Sequence, residues 1–259
     1  MRTSQPRALL TISIDLETGP AHAAPHRSLN EITIHLLDLL AKHQLSATWA
    51  TGDPATSTAS QVISRFAGHE IAILGDASWV GRGAGRQRFG HELASRAERA
   101  HNAGLNISTL ALHATELDDQ CDLAIKHGLT AVRHSAATAA GKPARRWRAS
   151  TLRFGLWSFP VSCSLPGSRR WLPGGGGTRS AKMSIDAAIA ESGLFQLAID
   201  APRLEALGAS ALRVLERVFE HISLRHQQRA VDVATIRAAA GQLSDQLQGQ
   251  PSQSILRAA

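Results

Sequence analysis

The sequence predicts an α/β fold in which parallel strands are packed by helices, and three observations carry that prediction. Apolar, β-branched runs of strand length alternate with longer segments of helical period, and the links between them are short. The alternation repeats four times before residue 135, which parallel strands require because each must be joined to the next by a crossover. With 259 residues and 43% hydrophobic content, the chain can bury a large core, as one α/β barrel or as two modest domains.

The elements follow in order. Residues 8–14 are mostly apolar and predict a first strand, ending in "IDLETGP". Residues 29–43 place Ile32, Leu36, Leu37, Leu39 and Leu40 on one helical stripe, with Ser28 or Asn30 as N-cap. A strand at 46–51 comes next, then a helix at 59–66 and a strand at 70–74. A helix at 89–103 leads to a strand at 106–113, and a helix at 117–127 to a strand at 130–134. Beyond residue 135 the pattern loosens, and the four-glycine run Gly174, Gly175, Gly176 and Gly177 has the composition of a flexible loop. Order returns with a strand at 194–200, a helix at 209–224, a short strand in "AVDVAT" and a last helix with Thr235 as its N-cap. The domain is expected over 8–248, with a flexible tail at 249–259.

Composition removes several classes of function. No apolar run reaches membrane-spanning length, and the basic start "MRTSQPRALLTISID" contains Asp15 and lacks a small-residue cleavage site. The expectation is a cytoplasmic protein without a membrane partner. Cys121 and Cys163 form neither a disulfide framework nor a metal-binding Cys pair, and both are expected to be reduced thiols. The formal charge of +7 is unevenly spread: no acidic residue falls between Asp122 and Asp186, a stretch that holds Lys126, Arg133, Lys142, Arg153 and several further cations. Such a stretch creates a field that attracts carboxylates, phosphates or nucleic acid.

The chemistry-bearing residues cluster at predicted strand ends. Asp15 and Glu17 stand where the first strand meets a Gly-Pro turn, and Asp200 closes a later strand. In α/β folds the carboxyl ends of strands carry ligand chemistry, because variable loops there rest on a rigid base. An Asp that merely caps its turn is the competing reading.

Several segments together resemble the polysaccharide deacetylases, the NodB-homology carbohydrate esterases. "SIDLETGP" stands against that family's "TFDDGP", and "LLDLLAKHQLSATWATGD" against its "ILDLLKKYGVKATFFVVG". "GHEIAILGDASW" aligns without a gap on "GHEIGSHTYSH", and "GLFQLAIDAPRL" on "GLFHLWIHPENL". The resemblance implies a distorted (β/α) barrel of about seven parallel strands with its active site at their C-terminal ends. It also implies metal-assisted hydrolysis of a C–N (non-peptide) bond, removing acetyl groups from amino sugars. There a divalent ion polarises the amide carbonyl while a carboxylate takes a proton from water.

By this match Asp15 is the base and Arg133 the residue that orients it. Leu16 stands at the metal-binding Asp, although Glu17 could substitute if the turn is shifted. The two metal-binding histidines fall on Leu74 and Ser78, and the late acid-catalyst histidine on Asp200. His69 survives but precedes the ligand positions. A zinc site without its imidazoles loses most of its affinity. No cofactor is therefore expected, and a zinc-like divalent metal only if His113 and His134 rebuild a site with Asp15, Glu17 or Asp200.

The sequence thus reads as a divergent deacetylase-like protein of carbohydrate metabolism, either a hydrolase or a degenerate pseudoenzyme that binds glycan. Asp15, Asp200 and Arg133 are the catalytic candidates. Glu17, His113, His134 and Trp157 are the substrate-binding ones, Trp157 as a stacking platform shared with Trp147 and Trp171. If the basic loops fold over the barrel mouth, they favour an anionic glycan. The alternative is a non-catalytic basic protein that binds nucleic acid or another polyanion through the same loops. It ranks lower because no DNA- or RNA-binding motif is present.

Overall fold

The computed structural model describes residues 7–17, 27–57, 60, 63–64, 66–81, 83–112, 117, 119–134, 148–166 and 176–248, with backbone alone at 27–30. The strands are β1 (Ala8–Asp15), β2 (Thr48–Thr51), β3 (Glu70–Gly75), β4 (Thr109–Leu112), β5 (Ala131–His134), β6 (Ser150–Thr151), β7 (Trp157–Pro160), β8 (Cys163–Leu165), β9 (Leu194–Asp200) and β10 (Val231–Ala234). Between them run α1 (Arg27–Lys42), α2 (Arg86–Asn102), α3 (Cys121–Lys126), α4 (Gly176–Ala190), α5 (Ala201–Leu207), α6 (Ala209–Gln227) and α7 (Ile236–Gln248). None of the described helices is long and apolar enough to cross a membrane.

Nine strands lie on one hydrogen-bonded path, β6-β7-β5-β4-β3-β2-β1-β9-β8, and β10 adds to β1 as a tenth. All pairings are parallel except β6 with β7. The expectation of about seven strands is therefore corrected, and the surplus has local causes. β7 and β8 are two halves of one passage of chain, interrupted where the Val161 N–H turns to His134 O and the Ser162 N–H to Gln196 O. That passage carries the chain from the β5 side of the curled sheet to the β9 side. β10 is a short wedge, pairing with Ala8–Thr11 below the point where β2 takes over at Ser13–Asp15.

Strand β1 is buried at every position, yet its two faces differ. Leu10, Ile12 and Ile14 join a core with Leu36 and Leu40 of α1, Ile185 of α4 and Phe219 of α6. Thr11, Ser13 and Asp15 point the other way, into the concave interior. The period of two in a strand is what separates the sets.

One helix corrects the sequence reading. α4 begins at Gly176, inside the run expected to be a loop, because Thr178, Ala181, Ile185 and Ala188 bury a stripe at helical spacing. Glycine weakens a helix interior by ~1 kcal/mol, a cost this stripe offsets. α3 is shorter than the predicted 117–127, and a separate helix α5 precedes α6. The helix expected at 59–66 and the tail at 249–259 fall largely or wholly outside the described residues.

The N-terminal end of this curled, barrel-like sheet is plugged by α7. Its Ile236, Ala239 and Ala240 pack against Leu9, Ala131, Trp157, Phe159 and Leu194. Side chains from three places satisfy the free amides of its first turn. Ile236 N–H donates to Thr48 Oγ1 at 2.9 Å, Arg237 N–H to Glu70 Oε2 at 2.9 Å and Ala238 N–H to the predicted cap Thr235 Oγ1 at 3.2 Å. Glu70, 3% exposed, also accepts from Thr48 Oγ1 at 2.9 Å and Thr109 Oγ1 at 2.5 Å. A buried carboxylate at a helix N-terminus is thereby fully engaged.

Candidate functional site at the barrel mouth

β1 ends at Asp15, at the opposite, C-terminal end of the barrel. Its carboxylate is gripped by Arg133 of β5: Nη1 donates to Oδ1 at 2.8 Å and Nη2 to Oδ2 at 3.0 Å. Three strands, β2, β3 and β4, separate β1 from β5 in the sheet, so the pair meets only across the concave interior. Both side chains are buried, at 7% and 2% exposure. Such a bidentate fork fixes direction as well as charge.

Arg133 is itself held from behind. Nη1 donates to Ser13 Oγ at 2.9 Å and Nη2 to Leu112 O at 3.3 Å. Ser13 Oγ also accepts from Gln196 Nε2 at 3.0 Å, and Gln196 in turn accepts from Thr11 Oγ1. A polar ladder of Thr11, Gln196, Ser13, Arg133 and Asp15 therefore climbs the interior from β1 and β9 to the mouth. Sequence reading missed Thr11, Ser13 and Gln196. The signal was present as polar residues at 11, 13 and 15, alternating with apolar ones.

The wall beside Asp15 is apolar. Ala50 is its neighbour in the register of β2, and Ala50, Ala72, Leu74 and Ala111 form a buried cluster on β2, β3 and β4. Leu74 occupies one position where the resemblance places a metal-binding histidine. Ser78, the other, is exposed, with its N–H donating to Asp76 Oδ1 at 2.7 Å. Leu16 belongs to the apolar core. Among the described residues no group of three or more His, Cys, Asp and Glu could hold a metal ion. This donor set does not fit the divalent ion that the fold resemblance implies.

The remaining candidates are dispersed. Asp200 is the cross-strand partner of Asp15 in the β1–β9 register, on the same face. Its carboxylate caps α5, accepting from Arg203 N–H at 3.0 Å. Glu17 accepts from Thr51 Oγ1 at 2.6 Å and from Gly52 N–H at 3.1 Å, tying the β1 and β2 ends together. A Cβ on Gly52 would stand 2.6 Å from Glu17 Oε2, so any larger residue there would push the Glu17 carboxylate aside. Beyond it, Arg96 of α2 donates to Gly52 O and lies 4.8 Å over the Trp79 ring.

His134 Nε2 lies 2.6 Å from Ser158 Oγ, and the register turns this pair away from Arg133 and Phe159. His134 is therefore not brought to Asp15. Trp157 starts β7 at the plugged end, and its Nε1 donates to Ser244 of α7 at 2.8 Å. The structure thus places Trp157 in barrel closure, far from the mouth. His113, Trp147 and Trp171 lie outside the described residues. His69 Nδ1 accepts from Ala47 N–H at 3.1 Å. Both cysteines are unbridged thiols, and burial pushes the Cys163 thiol up to about 11, which leaves no thiolate there for chemistry at neutral pH.

Comparison with known proteins agrees with this architecture. No family model matches the sequence, and no curated protein matches it significantly. Among solved structures the chain is similar to a "putative polysaccharide deacetylase" from Mycobacterium smegmatis, with a TM-score of 0.71 at 16% identity over 94% of this chain and 93% of that one. It is also similar to a 4-alpha-glucanotransferase from Thermococcus litoralis, with a TM-score of 0.59 at 11% identity over 92% of this chain and 40% of that one. A GH57-type branching enzyme from Pyrococcus horikoshii gives 0.58 at 10% identity over 90% and 70%. At these identities the likeness establishes a fold: a curled, mostly parallel α/β sheet of the kind seen in the deacetylase-type structure.

Proposed function

We propose that this is a polysaccharide deacetylase-like protein of carbohydrate metabolism that binds glycan at the C-terminal mouth of its barrel. The observation that carries the reading is the Asp15–Arg133 pair, a fixed carboxylate set at the strand ends where such folds gather ligands. The likeness to a deacetylase-type structure supports the ligand class. Asp15 supplies the acceptor for a sugar hydroxyl or amide N–H. Arg133 sets its direction, and Asp200 lies beside it. Glycan capture as a degenerate enzyme is the better supported of the two outcomes, since Leu74 and Ser78 replace the imidazoles of the deacetylase chemistry.

The test is calorimetric titration with acetylated, deacetylated and uronic acid-containing oligosaccharides, together with an assay for released acetate. Saturable binding without acetate release is the expected result. Acetate release that Asp15→Asn abolishes would make the protein a hydrolase instead. The second reading, binding of a polyanion such as nucleic acid, draws on the acid-free stretch between Asp122 and Asp186. It requires binding to random oligonucleotides that weakens steeply with salt, because phosphate contacts release counterions.

A further inference from the structure

Resting on that glycan reading, we infer that recognition at the mouth is metal-independent and that Asp15 is a fixed hydrogen-bond acceptor for the ligand. Four observations converge on this. Each carboxylate oxygen of Asp15 accepts from the same guanidinium, at 2.8 and 3.0 Å. That guanidinium is anchored by Ser13 Oγ and Leu112 O, so Asp15 cannot swing toward a cation without breaking a buried bidentate pair.

The third observation is the wall. From Ala50, the register neighbour of Asp15, a buried cluster continues through Ala72, Leu74 and Ala111 across β2, β3 and β4, methyl groups and the Leu74 side chain where an ion would need nitrogen or oxygen donors. The fourth is the fate of two further carboxylates at the strand ends. Glu17 spends its oxygens on Thr51 and Gly52, and Asp200 caps α5. Among the described residues, the mouth therefore sets a carboxylate oriented by Arg133 beside an apolar wall. That combination suits a ligand presenting a hydroxyl or amide N–H beside an apolar ring face, held directly.

The experiment uses the full chain in two arms. In the first, the parent protein is incubated with zinc, nickel or cobalt, desalted and analysed by elemental mass spectrometry, with Asp15→Asn alongside. In the second, binding of acetylated chito-oligosaccharides is titrated with and without EDTA. The expected results are no stoichiometric metal that depends on Asp15 and an affinity unchanged by EDTA. Asp15→Asn should weaken binding by about tenfold or more, the loss of a charge-assisted acceptor. Stoichiometric metal that disappears in Asp15→Asn, or binding abolished by EDTA and restored by zinc, overturns the inference and leaves the glycan reading standing. Absence of glycan binding in both conditions, with the metal arm negative, overturns the glycan reading and leaves the metal result standing. The metal arm reads the parent protein, so a folding defect in the variant does not remove the test.

Discussion

The two ends of the barrel each bury a carboxylate, and they do so differently. At the plugged end, Glu70 is satisfied by hydroxyls of Thr48 and Thr109 and by the Arg237 amide, while the Arg237 guanidinium stands 4.0 Å away and half exposed. At the mouth, Asp15 faces a buried guanidinium directly. The first arrangement bolts a helix to the sheet. The second holds a carboxylate still at the end where strands open onto loops. Burial alone does not mark a functional acid, and the source of its hydrogen bonds is more informative.

Breaking the mouth pair should give the largest effect. Arg133→Met takes the guanidinium from the buried Asp15 carboxylate, and a loss of about 3–5 kcal/mol is expected in urea denaturation. The double change Asp15→Leu with Arg133→Met should recover much of it, because it removes the uncompensated charge as well. A single-variant loss below about 1 kcal/mol would mean that the pair is hydrated like a surface bridge.

Next in size, Asp15→Asn should cost about 3 kcal/mol, since it leaves the buried Arg133 guanidinium without its counter-charge while keeping one acceptor oxygen, and Glu70→Gln about 1–3 kcal/mol, the penalty for disturbing a buried hydrogen-bonded group. The comparison is sharpened by function. Only Asp15→Asn is expected to lose glycan affinity, whereas Glu70→Gln should bind like the parent once folded. Equal loss in both, measured by calorimetry at a temperature where both are folded, would erase the distinction between the ends.

Gly52→Ala should be milder, about 1 kcal/mol, because Glu17 must give up one hydrogen bond to admit the Cβ. Thermal unfolding reads this directly.

The smallest effect expected is a pH dependence at the plugged end. Burial lowers the proton affinity of His69 below the ordinary histidine value of 6.5, and its Nδ1 is an acceptor for the Ala47 amide. The unfolded chain then binds the proton first as pH falls, so His69 contributes stability above pH 6.5 that declines below it, toward the lowered folded value. His69→Asn should flatten the stability profile in that window.

Much of the fold was legible because its signals are local. The βα alternation through residue 134 (apart from the helix expected at 59–66), the cap at Thr235 and the return of order at residue 194 all follow from spacing within one element. The sequence also showed acids at the ends of β1 and β9, and the register makes Asp15 and Asp200 neighbours. The glycine run hid the start of α4, since composition outweighed a stripe that begins only at Thr178. Trp157 looked like a mouth aromatic because nothing local tells which end of a strand a residue occupies.

What the sequence by itself determined is the periodicity of each element, including the polar–apolar alternation of β1. What only the tertiary structure decided is who meets whom across the curl. Arg133 lies 118 residues from Asp15, and Arg237 lies 167 from Glu70. Those pairings depend on how far the sheet bends and which strand closes it, a property of ten strands together that no window of sequence contains.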